Sequence, residues 1–138
     1  MIDHVVLDAS DLRASRAFYE QSLAPLGIEV LADHEGFLGF GEMQDRGEAL
    51  APVVYFWLTA RKPASSNVHI AFTTDDRAKV DAFYEGALAA GGTDNGAPGV
   101  REIYHPDYYG AFVLDPDGNN IEAVCHREDA SSQQSDPS

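Results

Sequence analysis

The chain has 138 residues, 44% of them apolar and 10% aromatic, which is enough for one domain with its own core and too little for two independent ones. Nine Lys and Arg against 23 Asp and Glu give a net charge of −14. That argues against nucleic acid and membrane surfaces as partners, because both are gripped by clustered cations.

The single cysteine, Cys125, leaves no intrachain disulfide framework and fits a reducing, cytoplasmic location. Met1-Ile2-Asp3-His4 lacks the basic and apolar regions of a signal peptide. No apolar run approaches the roughly 20 residues of a membrane helix.

In chain order, residues 2–8 are mostly apolar and predict a buried strand. Ser10 or Asp11 can cap a helix running to about Leu23, since a short side-chain oxygen accepts from the free N–H groups of the first turn. Pro25 and Gly27 end it. Strand-like runs follow at 29–33, 36–41 and 53–59, the last being Val-Val-Tyr-Phe-Trp-Leu-Thr, rich in β-branched and aromatic residues. Residues 60–67 read as a linker. A second helix is capped by Asp75 or Asp76, and its apolar face is built from Val80, Phe83, Tyr84, Ala87 and Leu88. Gly91-Gly92 stops it. Further strands are predicted at 92–95, 110–114 and 120–126, with Asp115-Pro116-Asp117-Gly118 as a turn between the last two. The tail 127–138 is polar and predicted to be disordered.

The two halves repeat. A shift of 65 lays His4 on His69 and Asp11 on Asp76. It also lays Ala17-Phe18-Tyr19-Glu20 on Ala82-Phe83-Tyr84-Glu85, Leu23 on Leu88, Ala24 on Ala89 and Gly27 on Gly92. Over 4–27 against 69–92, nine of 24 positions are identical. Chance would give about two. A fixed-period repeat means one structural unit built twice, here βαβββ over about 2–59 and again over about 68–126 within a single domain, 1–126. The expected fold class is α+β.

Two imidazoles at equivalent places in two copies can face each other across a seam. Glu122 is a carboxylate in an otherwise apolar strand, and the same shift sets it beside Trp57. Burying an unpaired carboxylate costs several kcal/mol, roughly, and a cation removes that cost. His4, His69 and Glu122 therefore form a candidate metal set of two imidazoles and one carboxylate. It suits Fe(II) and accepts Mn(II), Co(II), Ni(II) or Zn(II), and no organic cofactor is expected. Residues 101–110 (Arg-Glu-Ile-Tyr-His-Pro-Asp-Tyr-Tyr-Gly) are dense in groups that can grip an anionic or phenolic ligand. His105 is the candidate base there, because imidazole is suited to proton transfer at neutral pH.

With these residues in view, the chain resembles the vicinal oxygen chelate superfamily, which includes glyoxalase I, extradiol dioxygenases, fosfomycin and bleomycin resistance proteins, and methylmalonyl-CoA epimerases. The elements that carry the resemblance are Ile2-Asp3-His4-Val5, Arg16-Ala17-Phe18-Tyr19-Glu20, Val68-His69-Ile70-Ala71-Phe72, and Leu114-Asp115-Pro116-Asp117-Gly118-Asn119-Asn120-Ile121-Glu122. Together they span nearly the whole chain. The resemblance implies two βαβββ modules in a curved mixed sheet, metal ligands at His4, His69 and Glu122, a small oxygen-chelating substrate and a symmetric homodimer.

Two departures shape the expectation. Glyoxalase I-like members supply a fourth ligand from the last strand of module one, where this chain has Trp57 and, as the nearest coordinating side chain, Tyr55. The extradiol pattern is matched at His105, at Asp115-Pro116-Asp117-Gly118 and at Glu122, but Phe112 stands where that pattern has a tyrosine. Tyr108 or Tyr109 can replace the missing hydroxyl. Tyr109 is carried as a second catalytic candidate, and Trp57, Tyr55, Arg101, Tyr108 and Phe112 as the substrate pocket. The leading expectation is a metal-dependent glyoxalase- or dioxygenase-type enzyme. A metal-independent binding protein of the bleomycin-resistance type is the alternative, and a lyase or epimerase on the same triad is the third reading. His34 and His126 have no assigned role.

Overall fold

Two aspartates start the two helices. In the computed structural model, which describes residues 1–129, the Asp11 carboxylate accepts from the N–H groups of Arg13 and Ala14. Asp76 accepts from that of Ala78. Each cap satisfies donors that the first helical turn leaves free. Helix α1 runs Leu12–Leu23 and α2 runs Arg77–Ala89. A single turn, Ala24–Leu26, follows α1 and ends on Gly27, whose φ of 83° is the left-handed backbone that glycine adopts without a steric cost.

Strands surround each helix in the predicted order. Module one has β1 (Val5–Asp8), β2 (Glu29–His34), β3 (Phe37–Asp45) and β4 (Leu50–Thr59). Module two has β5 (His69–Thr73), β6 (Thr93–Val100), β7 (Tyr109–Leu114) and β8 (Asn120–Cys125). Each forms its own four-stranded mixed sheet, β1-β4-β3-β2 and β5-β8-β7-β6. The first and last strands of each module pair in parallel, and the other pairs are antiparallel. The chain thus has the expected α+β architecture of two βαβββ modules. The expected buried strand over 2–8 is shorter, beginning at Val5, and of its residues only Leu7 is buried, while Ile2 and Val6 are exposed because that face of the sheet lies away from the shared core. Three other strands run longer than expected. β3 and β4 extend as a hairpin arm to Asp45 and Leu50, and β6 continues to Val100. In β6 this happens because irregular pairing, shifted between Asp94 and Gly96 and again before Gly99, carries the strand past its glycines. The predicted tail falls mainly in 130–138, outside the described residues. Among the described residues no helix is long and apolar enough to cross a membrane.

The modules share one core. Leu7, Phe18, Tyr19, Phe40, Phe56 and Leu58 from module one pack in a single cluster with Phe72, Val80, Phe83, Val113 and Ile121 from module two. Phe56 meets Phe72 edge-on at 5.5 Å between ring centroids, directly across the module boundary. The two helices touch where α2 carries Gly86, and a Cβ there would lie 2.5 Å from the Gln21 carbonyl oxygen of α1. A second tie is polar. Tyr19 donates to Asp115 at 2.5 Å, and Ser10 donates its backbone N–H to Asp117 at 3.1 Å. The Asp115–Gly118 turn of module two therefore locks onto the start of module one. Buried Asn119 holds the linker by donating to the Ser65 carbonyl and accepting from the Val68 N–H.

Gly86→Ala tests the helix contact. Alanine gains about 1 kcal/mol of helix propensity, but overlap in a packed contact costs about 1–3 kcal/mol. The expected result is a lower urea midpoint at unchanged slope. A raised midpoint would show that α1 and α2 can separate freely.

Candidate functional site

Strand alternation sorts the side chains onto two faces. In β4 and β8, Phe56, Leu58, Ile121 and Ala123 enter the core. Trp57 and Glu122, being odd by one, point to the other side. The registers show that these two positions are equivalent. Trp57 pairs with Val6 on β1, and Glu122 pairs with Ala71 on β5. Val6 and Ala71 are again 65 apart, as are His4 and His69. Each module thus presents one outward face. One bears His4 and Trp57, the other His69 and Glu122.

On the second face Glu122 is only 2% exposed. His69 Nε2 lies 2.9 Å from Glu122 Oε1. The Tyr108 hydroxyl donates to Glu122 Oε2. No Lys or Arg forms an ion pair with Glu122 among the described residues. The Phe112 ring, opposite Glu122 in the β7–β8 ladder, packs 6.1 Å from the His69 ring. Gly110 leaves room for the arrangement, since a Cβ there would sit 3.1 Å from the Tyr108 ring and 3.3 Å from Glu122 Oε2. The segment between β6 and β7 therefore folds over the carboxylate, with Arg101 above the Phe112 ring at 5.6 Å.

His4 stands elsewhere. Its Nδ1 is 2.6 Å from Asp3 Oδ1, so Nδ1 carries the proton toward Asp3 and Nε2 is left free. His4 shares one cavity with Val6, Phe37, Trp57 and Arg61. It shares another with Tyr55, Phe56 and the stretch 70–73 of β5. Of the predicted ligands, the structure brings His69 and Glu122 together and leaves His4 apart. Among the described residues no three His, Cys, Asp or Glu side chains gather as a metal group.

The other predicted residues divide between the faces. Tyr108 joins the site, whereas Tyr109 points to the helix side. Its hydroxyl donates to Asp81 of α2 at 2.6 Å, and Arg77 lies over its ring. His105 accepts from the Asp107 N–H at Nδ1, and its Nε2 is 2.8 Å from His126 Nδ1. Both His105 nitrogens are thereby engaged, which leaves none free for a substrate proton in this arrangement. His126, assigned no role from sequence, is the partner of His105. Tyr108 packs edge-on against both imidazoles. No spacing in the sequence signals that pairing, because the two histidines are 21 residues apart and meet only through the β7–β8 ladder. His34 stacks on Phe37 at 4.6 Å.

A family model, the Glyoxalase/Bleomycin resistance protein/Dioxygenase superfamily, matches residues 1–123. The chain belongs to that superfamily. Among solved structures, a glyoxalase/bleomycin resistance protein from Albidiferax ferrireducens T118 is 28% identical, with a TM-score of 0.72 over 93% of this chain and 99% of the other. A glyoxalase/bleomycin resistance protein/dioxygenase family enzyme from Burkholderia phytofirmans PsJN is similar at 23% identity and a TM-score of 0.63, over 91% of this chain and 98% of that one. Glyoxalase I from Zea mays matches at 23% identity and a TM-score of 0.60, over 93% of this chain and 45% of the maize chain. At these last two identities the likeness concerns the fold. No curated protein matches.

The tyrosines supply a pH test of the site's packing. Burial, then the hydrogen bond to Glu122, pushes the Tyr108 hydroxyl well above its ordinary value of 10.0. Burial, then Asp81, pushes Tyr109 up to about 12. Burial, then Glu42, does the same for Tyr55, also to about 12. Folding here favours the neutral phenol. The resulting stabilisation is complete below the unfolded value near 10 and is lost as pH climbs through the folded values. Ultraviolet titration at about pH 11 is expected to show much less tyrosinate in the folded chain than in urea, with a smaller gap in Tyr108→Phe. Equal ionisation in both states would contradict the buried hydroxyl network.

Proposed function

We propose that the protein is a metal-dependent enzyme of the glyoxalase/dioxygenase type, acting on a small substrate that offers oxygen atoms for chelation. The observation that carries this reading is Glu122, a buried carboxylate with an imidazole nitrogen 2.9 Å from one oxygen and, among the described residues, no Lys or Arg paired with it. Two donors at that separation suit neighbouring positions around one divalent ion. The donor chemistry fits, but one chain brings only two of the three predicted ligands together.

The third ligand, in this reading, comes from a second copy of the chain. A two-fold dimer that sets the His4 face of one protomer against the His69–Glu122 face of the other makes two equivalent sites. The His4 nitrogen not engaged by Asp3 is then available, and the Asp3 contact orients the ring as an outer partner. Tyr108 holds Glu122 by one oxygen and fixes its orientation. Phe112 and the segment over it keep water from the carboxylate. A bound divalent ion supplies Lewis acidity that stabilises negative charge developing on a substrate oxygen.

A metal-independent binding protein is the second reading. It is favoured by the separation of His4 from the other two residues within one chain.

Metal analysis after loading with Fe(II), Mn(II), Ni(II), Co(II) or Zn(II) decides between them. Glu122→Gln is expected to fold normally and lose affinity by about 100-fold or more. Mixing His4→Ala with Glu122→Gln protomers is expected to restore about a quarter of the sites, since random pairing in a two-fold dimer makes half heterodimers, each with one intact site. No restoration from the mixture would place all ligands in one chain. No metal uptake by the unmodified protein would favour the binding-protein reading.

A further inference from the structure

The His4 face also carries a recognition surface of its own. Its cavity is about 500 Å³, a size suited to a small organic ligand. Trp57 and Phe37 form its wall, with ring centroids 5.9 Å apart and planes tilted by 47°. The indole reaches across to the neighbouring strand for a structural reason. Its ladder partner is Gly39, and a Cβ there would come within 2.8 Å of the ring. The absent side chain at Gly39 makes room for the outer end of the benzo ring, and Trp57 also lines the cavity. Phe37 and Val6 are both partly open to solvent here, so the opening is edged by apolar surface.

Charge selects among apolar ligands. The chain carries 23 acidic residues, yet none of the described ones lines this cavity. Four other cavities among the described residues each have at least one Asp or Glu in the wall. Arg61 stands at the rim, just past the end of β4. Among the described residues it has no ion pair and no hydrogen bond. A guanidinium with no partner among the described residues, lining the same cavity as two aromatic rings in a strongly acidic protein, is complementary to a planar ring bearing a negative group.

We propose that this cavity binds a flat aromatic carboxylate, its rings on Trp57 and Phe37 and its anionic group on Arg61. The inference rests on the preceding reading in so far as His4 lines the same cavity, so the ligand would be the substrate of that site or a close relative of it. It does not require the metal.

Trp57 is the sole tryptophan, so its indole N–H gives one assignable signal in a ¹⁵N–¹H spectrum. The probes are 2-naphthoate, its neutral analogue 2-naphthalenemethanol, and decanoate, titrated into metal-free protein. Naphthoate is expected to shift the indole signal saturably. The neutral analogue is expected to bind about fivefold more weakly, the scale of one solvent-accessible charge contact, and decanoate not to move the signal. Arg61→Gln is expected to bring naphthoate down to the analogue's affinity while leaving the analogue unchanged, and Phe37→Ala to weaken both. An unmoved indole signal, or equal affinity for naphthoate and its neutral analogue, would overturn the proposal. A protein that takes naphthoate but no divalent ion keeps this inference and loses the metal reading. One that takes the ion and no naphthoate does the reverse.

Discussion

A sheet of four strands with one helix has a single side on which to hide apolar surface, and each module of this chain is such a unit. The two modules solve the problem together, pooling α1, α2 and one side of each sheet into a single core. Phe18, Tyr19, Phe56, Phe72 and Phe83 fill it. The contact between α1 and α2 at Gly86 and the lock between Tyr19 and Asp115 fix how the modules sit. This choice has a consequence at the opposite side of each sheet. Because the core takes one face, the faces bearing His4 with Trp57 and His69 with Glu122 are both turned outward. They are equivalent by construction and apart within one chain. The proposed two-chain site follows from that geometry.

Equivalence of position did not produce equivalence of chemistry. Where module two has Glu122, module one has Trp57. The carboxylate demands compensation, and it receives a histidine, a tyrosine hydroxyl and a covering segment. The indole demands space, and Gly39, lacking a side chain, makes room for the end of its ring. One face is thus built to handle charge, and the other to hold a ring. Brought together, they would offer a substrate a chelating end and a stacking wall, which is the division of labour that a small chelating ligand with an aromatic body requires.

Much of this was legible in the residues. The 65-residue shift gave the two modules, and the ladder registers bear it out to the residue, since Val6 with Trp57 and Ala71 with Glu122 occupy matching places. Asp11 and Asp76 announced the helix starts because capping is local chemistry. The adjacent tyrosines show where legibility stopped. Tyr108 and Tyr109 looked interchangeable, yet consecutive residues entering a strand point to opposite faces. One reaches Glu122, the other Asp81. His105 and His126 likewise meet only because β7 and β8 are paired, a contact between residues far apart in the chain.

The sequence by itself determined the repeat, the helix and strand order, the superfamily and the identity of the candidate ligands. These depend on short-range signals and on side-chain chemistry that each residue carries with it. Only the tertiary structure decided that His69 and Glu122 meet while His4 stands with Trp57, Phe37 and Arg61 at another cavity. That decision belongs to the packing of one module against the other. The shared core set it, through contacts such as Phe56 on Phe72 and α1 on α2, and no local pattern in the chain encodes which outward face will look at which.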